Sequence, residues 1–246
     1  MPLLPLIMAG SSEIFNAFGV HAALGYVCEQ TLGVNIHSCL AVTVDGLVSG
    51  VSAQSSYNRA QPSDNTRTHD SKKVEPLEEK ESCRWVQTPG GSTETLPEGI
   101  HVVTVCDREG DMYELFDGAE SKGQAFLIRI VQNRKTVENG KILDEIRAKP
   151  CMGRVKTVIP RNSRAGVKER EAVLQIRYGR FGIKRPSILN KVKHLKATRE
   201  ATVIYVREEP RNESTEPVEW FLMTNEKVDN VEDAYEKAEV YAAVED

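Results

Sequence analysis

The stretch V103-T-V-C-D-R-E-G-D-M-Y-E-L-F116 decides the fold: an apolar run ends abruptly in charged residues and then becomes amphipathic. It reads as a buried strand over 101–106, followed by a helix over 111–122 with Met112, Leu115 and Phe116 on one face. A second apolar strand over 125–131 comes next. Strand, helix and strand in so short a space predict a parallel pair joined by a right-handed crossover. The first strand delivers Asp107 at its C-terminal end, where a rigid backbone can fix a carboxylate as a metal ligand.

Upstream, residues 36–56 alternate around Asp45-Gly46, which predicts two antiparallel strands joined by a two-residue type I′ turn. Residues 57–78 form a polar loop, 79–87 a helix and 88–99 a second loop. Downstream, a short helix over 142–148 precedes strands at 155–159, 172–178 and 201–206, with basic residues between them. A polar connector at 210–217 leads to a strand over 218–224. The last helix, 231–243, repeats Val231, Ala234, Ala238 and Tyr241 or Ala242 at helical spacing. The expected domains are a core begun by 1–131, a β-rich basic insertion over 132–212 and a return to the core over 213–246.

With 246 residues, 40% hydrophobic and 28% charged, the chain has the composition of a soluble globular protein. No apolar run approaches the roughly 20 residues of a membrane helix, and the first ten residues lack the basic start of a secretory signal. A cytoplasmic location without membrane contact is expected. The scattered cysteines, Cys28, Cys39, Cys83, Cys106 and Cys151, have no Cys-x-x-Cys spacing, which argues against a zinc site or a disulfide framework.

The net charge of −4 conceals an asymmetry. From Arg129 to Arg211 there are 22 basic and 8 acidic residues, a net of +14, which leaves −18 for the remainder. Concentrated positive charge favours a polyanion through counterion release, with a solvated basic face as the other reading. Arg129, Arg134 and Lys135 open this segment and are candidates for phosphate contact.

Asp107-Arg108-Glu109-Gly110-Asp111 resembles the central motif of the DDE transposases of bacterial cut-and-paste insertion sequences, in the branch with a Tyr-Arg-Glu-Lys signature. Glu79-Lys-Glu-Ser-Cys-Arg-Trp85 is similar to that family's Glu-Lys-Glu-Ser-x-x-Trp. Gly25-Tyr26 and Ile36-His37-Ser38-Cys39-Leu40-Ala41-Val42 resemble its Gly-Leu-Gly and His-Ser-x-Leu-Ala-Val segments. Glu216-Pro-Val-Glu-Trp-Phe-Leu-Met-Thr-Asn225 resembles its Pro-Leu-x-Trp-x-Leu-Leu-Thr strand, and Tyr241 falls where the signature Tyr is expected.

The resemblance implies an α/β, ribonuclease-H-like mixed sheet flanked by helices and interrupted by the basic β-rich insertion. It also implies DNA, specifically transposon ends, as the partner, and Mg²⁺ as the cofactor. In such an enzyme two Asp and one Glu hold two divalent ions about 4 Å apart for phosphodiester cleavage and strand transfer. Asp107 takes the second carboxylate position, with Arg108, Glu109 and Asp111 as supporting residues around it; Asp111 reads equally as a helix start. Trp220 corresponds to a Trp that receives a flipped base, or else is a core residue. Arg59 matches a family Arg for DNA contact.

The first carboxylate is missing on this alignment, because Gly10 stands before Ser11-Ser12-Glu13-Ile14 where the family has Asp. The third would lie beyond Asp246, so the chain reads as degenerate and truncated. Expected is a transposase-derived protein without normal cleavage. The alternative is a non-catalytic DNA-binding module, or an inhibitor that pairs with a full-length transposase.

Overall fold

The computed structural model describes residues 6–16, 25–28, 31–43, 46–57, 83–86, 100–159, 168–190, 192–210 and 217–245, with the backbone alone up to residue 32. It divides into two compact units, Met1–Val102 and Val103–Asp246. That division differs from the boundaries at 131/132 and 212/213 expected from the sequence.

In the first unit β3 (Thr31–Thr43) is the central strand. β1 (Leu6–Asn16) pairs with it antiparallel, from Leu6 opposite Thr43 to Asn16 opposite Gly33. β2 (Gly25–Cys28) pairs with its first residues and β4 (Val48–Tyr57) with the rest, both antiparallel. The strand β1 has no counterpart in the hydrophobic pattern reading. β4 carries two register shifts, and the Ser52 hydroxyl donates to the Cys39 carbonyl at 2.9 Å beside one of them.

The hairpin between β3 and β4 exists, and Asp45 of its expected turn lies outside the described residues. The Gly46 amide bonds the Thr43 carbonyl and the Thr43 amide bonds the Leu47 carbonyl, each at 2.9 Å. Gly46 has φ +82°, in the left-handed region that favours glycine. Of the predicted 79–87 helix, a helical turn over 83–86 is described. Trp85 there is buried, with its ring edge-on to His37 at 4.5 Å.

The second unit is a mixed sheet in the order β5-β6-β10-β9-β8-β7. β5 (Val102–Cys106) and β6 (Ala125–Arg129) run parallel, as the strand, helix and strand pattern predicts, with α1 (Tyr113–Ser121) between them in sequence. β7 (Gly153–Ile159), β8 (Arg170–Lys184), β9 (Thr198–Glu208) and β10 (Glu219–Thr224) pair antiparallel, and β10 bonds β6. The basic strands therefore continue the sheet that begins at β5.

Helices cover both faces of this sheet. Directly opposite residues share a face, so Tyr205, Phe221 and Arg177 lie on one side with α1 and α2 (Ile142–Ala148). Phe116 of α1 stacks on Phe126, and Arg147 of α2 lies over the Phe221 ring. Ile176, Val206 and Trp220 face the other side, where α3 (Val231–Glu245) packs. Ala234, Ala238 and Tyr241 are its buried residues, at the expected helical spacing. Coverage on both sides explains why Val203, Ile204, Tyr205 and Val206 are all buried rather than alternating.

Candidate functional site

β5 ends at Cys106, and Asp107 follows it as the cap of a 3₁₀ turn, Arg108–Gly110. Its Oδ1 accepts the Glu109 amide at 2.8 Å. Asp107, Arg108 and Glu109 are exposed, while Gly110 and Asp111 are buried. The helix thus starts two residues later than predicted, at Tyr113, because Asp111 belongs to a different structure.

Asp111 fastens this turn to the segment after β6. Its Oδ2 accepts the amides of Val131 and Gln132, each at 2.8 Å, and its Oδ1 accepts Arg134 Nη1 in a buried ion pair. The Asp111 carbonyl accepts from Gln132 Nε2 and Arg134 Nη2, each at 2.7 Å. The Arg134 guanidinium also lies 4.9 Å from the Phe116 ring centre. Both oxygens of Asp111 are engaged inside the fold, with Val131, Gln132 and Arg134.

A Mg²⁺ pair needs several hard oxygen donors converging on one place. Among the described residues, no group of three or more His, Cys, Asp or Glu could hold a metal ion. Asp107 accepts an amide through one oxygen, and Asp111 is directed at Arg134. These two residues of the second unit do not supply the converging oxygens of a two-ion centre.

The basic candidates separate in space. Arg129 is half-buried at the end of β6, opposite Leu222. Arg134 is buried against Asp111, whereas Lys135, the next residue, is exposed. Arg59 lies outside the described residues. Two more arginines of the basic segment are paired: buried Arg199 with Asp117 and Glu120 of α1, and half-buried Arg170 with buried Glu208. The sequence hint for these was a charge at each end of an apolar strand, as with Arg199 and Glu208 near the two ends of β9.

The loop before β9 is tied to the same helix. The Lys196 amide donates to Asp117 Oδ1 at 3.0 Å, and the Tyr113 hydroxyl donates to the Lys196 carbonyl at 3.0 Å. Burial, with Asp117 nearby, pushes the Tyr113 hydroxyl up to about 12. Trp220 is half-buried on the face under α3, with its ring edge-on to Tyr241 at 5.4 Å. The two residues that the resemblance singles out 21 positions apart therefore touch each other.

The chain is thus an α/β protein with a mixed sheet, and among its described residues no helix is long and apolar enough to cross a membrane. No family model matches it. Among solved structures it is similar to the piggyBac transposase in a cryo-EM synaptic complex with hairpin DNA, at 10% identity and a TM-score of 0.45. The match covers 97% of this chain and 38% of that one, so the chain spans about two fifths of that protein's length. A likeness of this size carries no functional inference.

Proposed function

We propose that this chain is a transposase-derived, ribonuclease-H-like protein that binds DNA and has lost metal-dependent strand cleavage. The carrying observation is the contrast between Asp107 and Gly10. Asp107 stands exposed at the end of a strand in a parallel pair, the place suited to a metal ligand, while the aligned first-carboxylate position is a glycine in β1. The ordered motifs around Asp107, Trp85 and Trp220 support descent from the Tyr-Arg-Glu-Lys branch of bacterial insertion-sequence transposases. The +14 balance of 129–211 supports a polyanionic partner. Lysine and arginine held on a sheet can position a duplex by its phosphates without reading its sequence.

The test is a fluorescence-anisotropy titration of the full chain against short duplex DNA at two salt concentrations, with and without Mg²⁺. A denaturing gel of the same samples detects nicks. Salt-sensitive binding with intact strands is the expected result. Mg²⁺-dependent nicking that disappears in Asp107→Ala would sink the loss of cleavage, and no binding at low salt would sink DNA binding.

A further inference from the structure

Lys135 has two companions that sequence order hides. It lies directly opposite Lys141 in an antiparallel bridge, across the turn 136–140. The bridge between Thr136 and Ile183 places Lys135 beside Lys184 on its other side, where the Lys184 amide donates to the Lys135 carbonyl at 2.9 Å. Lys184 in turn stands opposite Thr198 of β9. Directly opposite residues project to one face, so Lys141, Lys135 and Lys184 form a row on adjacent strands about 4.8 Å apart.

Lys135 and Lys141 are exposed and Lys184 is half-buried. Among the described residues none of the three is in an ion pair, although other exposed cations of this unit are: Arg180 pairs with Glu200, and Arg154 with Glu209. The acidic residues of the neighbourhood have other partners or face solvent: Asp144 accepts from the Asn133 side chain, Glu145 accepts the Thr136 hydroxyl, Glu200 holds Arg180, and Glu138 is exposed in the turn. Neutral acceptors orient two of the ammonium groups. Lys184 Nζ donates to Asn139 Oδ1 at 2.5 Å and Lys141 Nζ to the Asn133 carbonyl at 3.1 Å.

Like charges directly opposite on a sheet repel. Three in succession, none ion-paired with a described carboxylate, make an arrangement that an anionic partner would stabilise, and the phosphates of duplex DNA supply a dense line of negative charge. We propose that the row Lys141, Lys135 and Lys184 is a phosphate-backbone contact of this protein; the proposal rests on the DNA-binding reading above and adds the surface. The contact is electrostatic and independent of base sequence.

The experiment measures the affinity of the full chain for a short random-sequence duplex over a range of salt concentrations. Variants are K135Q, K141Q, K184Q, their triple combination, and the control K122Q/K227Q, whose lysines are exposed elsewhere. Each row substitution is expected to reduce the slope of log affinity against log salt by about one, and the triple by about three. The control should leave the slope unchanged. Without DNA the triple variant should melt at or above the wild-type temperature, since repulsion is relieved. Wild-type binding with an unaltered slope in the triple variant overturns the row alone, as does an equal loss in the control or a lowered melting temperature without DNA. Absence of any salt-sensitive binding by the wild type overturns the DNA-binding reading itself.

Discussion

Arg134 and Lys135 are neighbours in sequence and belong to opposite kinds of region. Arg134 pairs with Asp111 ahead of α1, as Arg199 pairs with Asp117 of α1, and all four are buried. Lys135 joins the row with Lys141 and Lys184, where positive charges stand together and, among the described residues, no carboxylate forms an ion pair with them. A planar guanidinium with several fixed donors can be taken out of water when carboxylate and carbonyl oxygens surround it, while a strongly hydrated ammonium stays at the surface. The difference teaches that a net charge counted along a chain overstates the charge available to a partner. Part of the basic segment's excess is neutralised by acids lying before it in sequence.

The largest way to break this comparison is Asp111→Ala. It strands Arg134 in the interior and leaves the Val131 and Gln132 amides without their acceptor. A loss of about 3–5 kcal/mol is expected in a denaturant titration. Replacing both partners by apolar residues of similar size should recover much of it, because the pair's desolvation offsets its attraction. A mild effect of the single substitution would show that the pair is not what fastens the turn. Trp220→Ala comes next, with about 2–3 kcal/mol lost through the cavity left beside Tyr241. If Trp220 instead serves to stack a base, DNA affinity should fall more than stability does.

The contrast between these regions marks what was legible from the sequence. The β5, α1 and β6 succession could be read because each piece carries its own apolar period, and so could the spacing of Ala234, Ala238 and Tyr241 in α3. The strands β8 and β9 extend beyond the readable 172–178 and 201–206 because their ends hold Arg170, Arg199 and Glu208, charges that only their partners neutralise. Asp111 and Arg134 are 23 positions apart, so no local pattern links them. The lysine row depends on two isolated bridges, which periodicity does not reveal.

Alkaline titration sharpens the paired side of the comparison. Burial and the nearby Asp117 raise the Tyr113 hydroxyl to about 12, so the folded chain keeps this proton where the unfolded chain, at about 10, releases it. Tyr113 therefore contributes stability that is complete below about pH 10 and is lost as pH rises toward about 12. The melting temperature should decline across that window, and Tyr113→Phe should flatten the decline. An identical pH profile in both proteins would remove Tyr113 from the energetics around Asp117.

The smallest expected effect belongs to Asp107→Ala. Its side chain is exposed and accepts one amide, that of Glu109, so the substitution loses a cap worth about 1 kcal/mol or less. Asp111, four residues on, should exceed it severalfold in the same denaturant titration, although both are aspartates of one motif. The reason is position: one carboxylate faces water and the other closes a buried network. DNA affinity and its salt slope should be the same in Asp107→Ala as in the wild type, because the row that meets phosphate lies elsewhere on the sheet. An affinity that depended on Asp107 together with Mg²⁺ would reverse this order, and would make the exposed carboxylate the centre of the molecule's function.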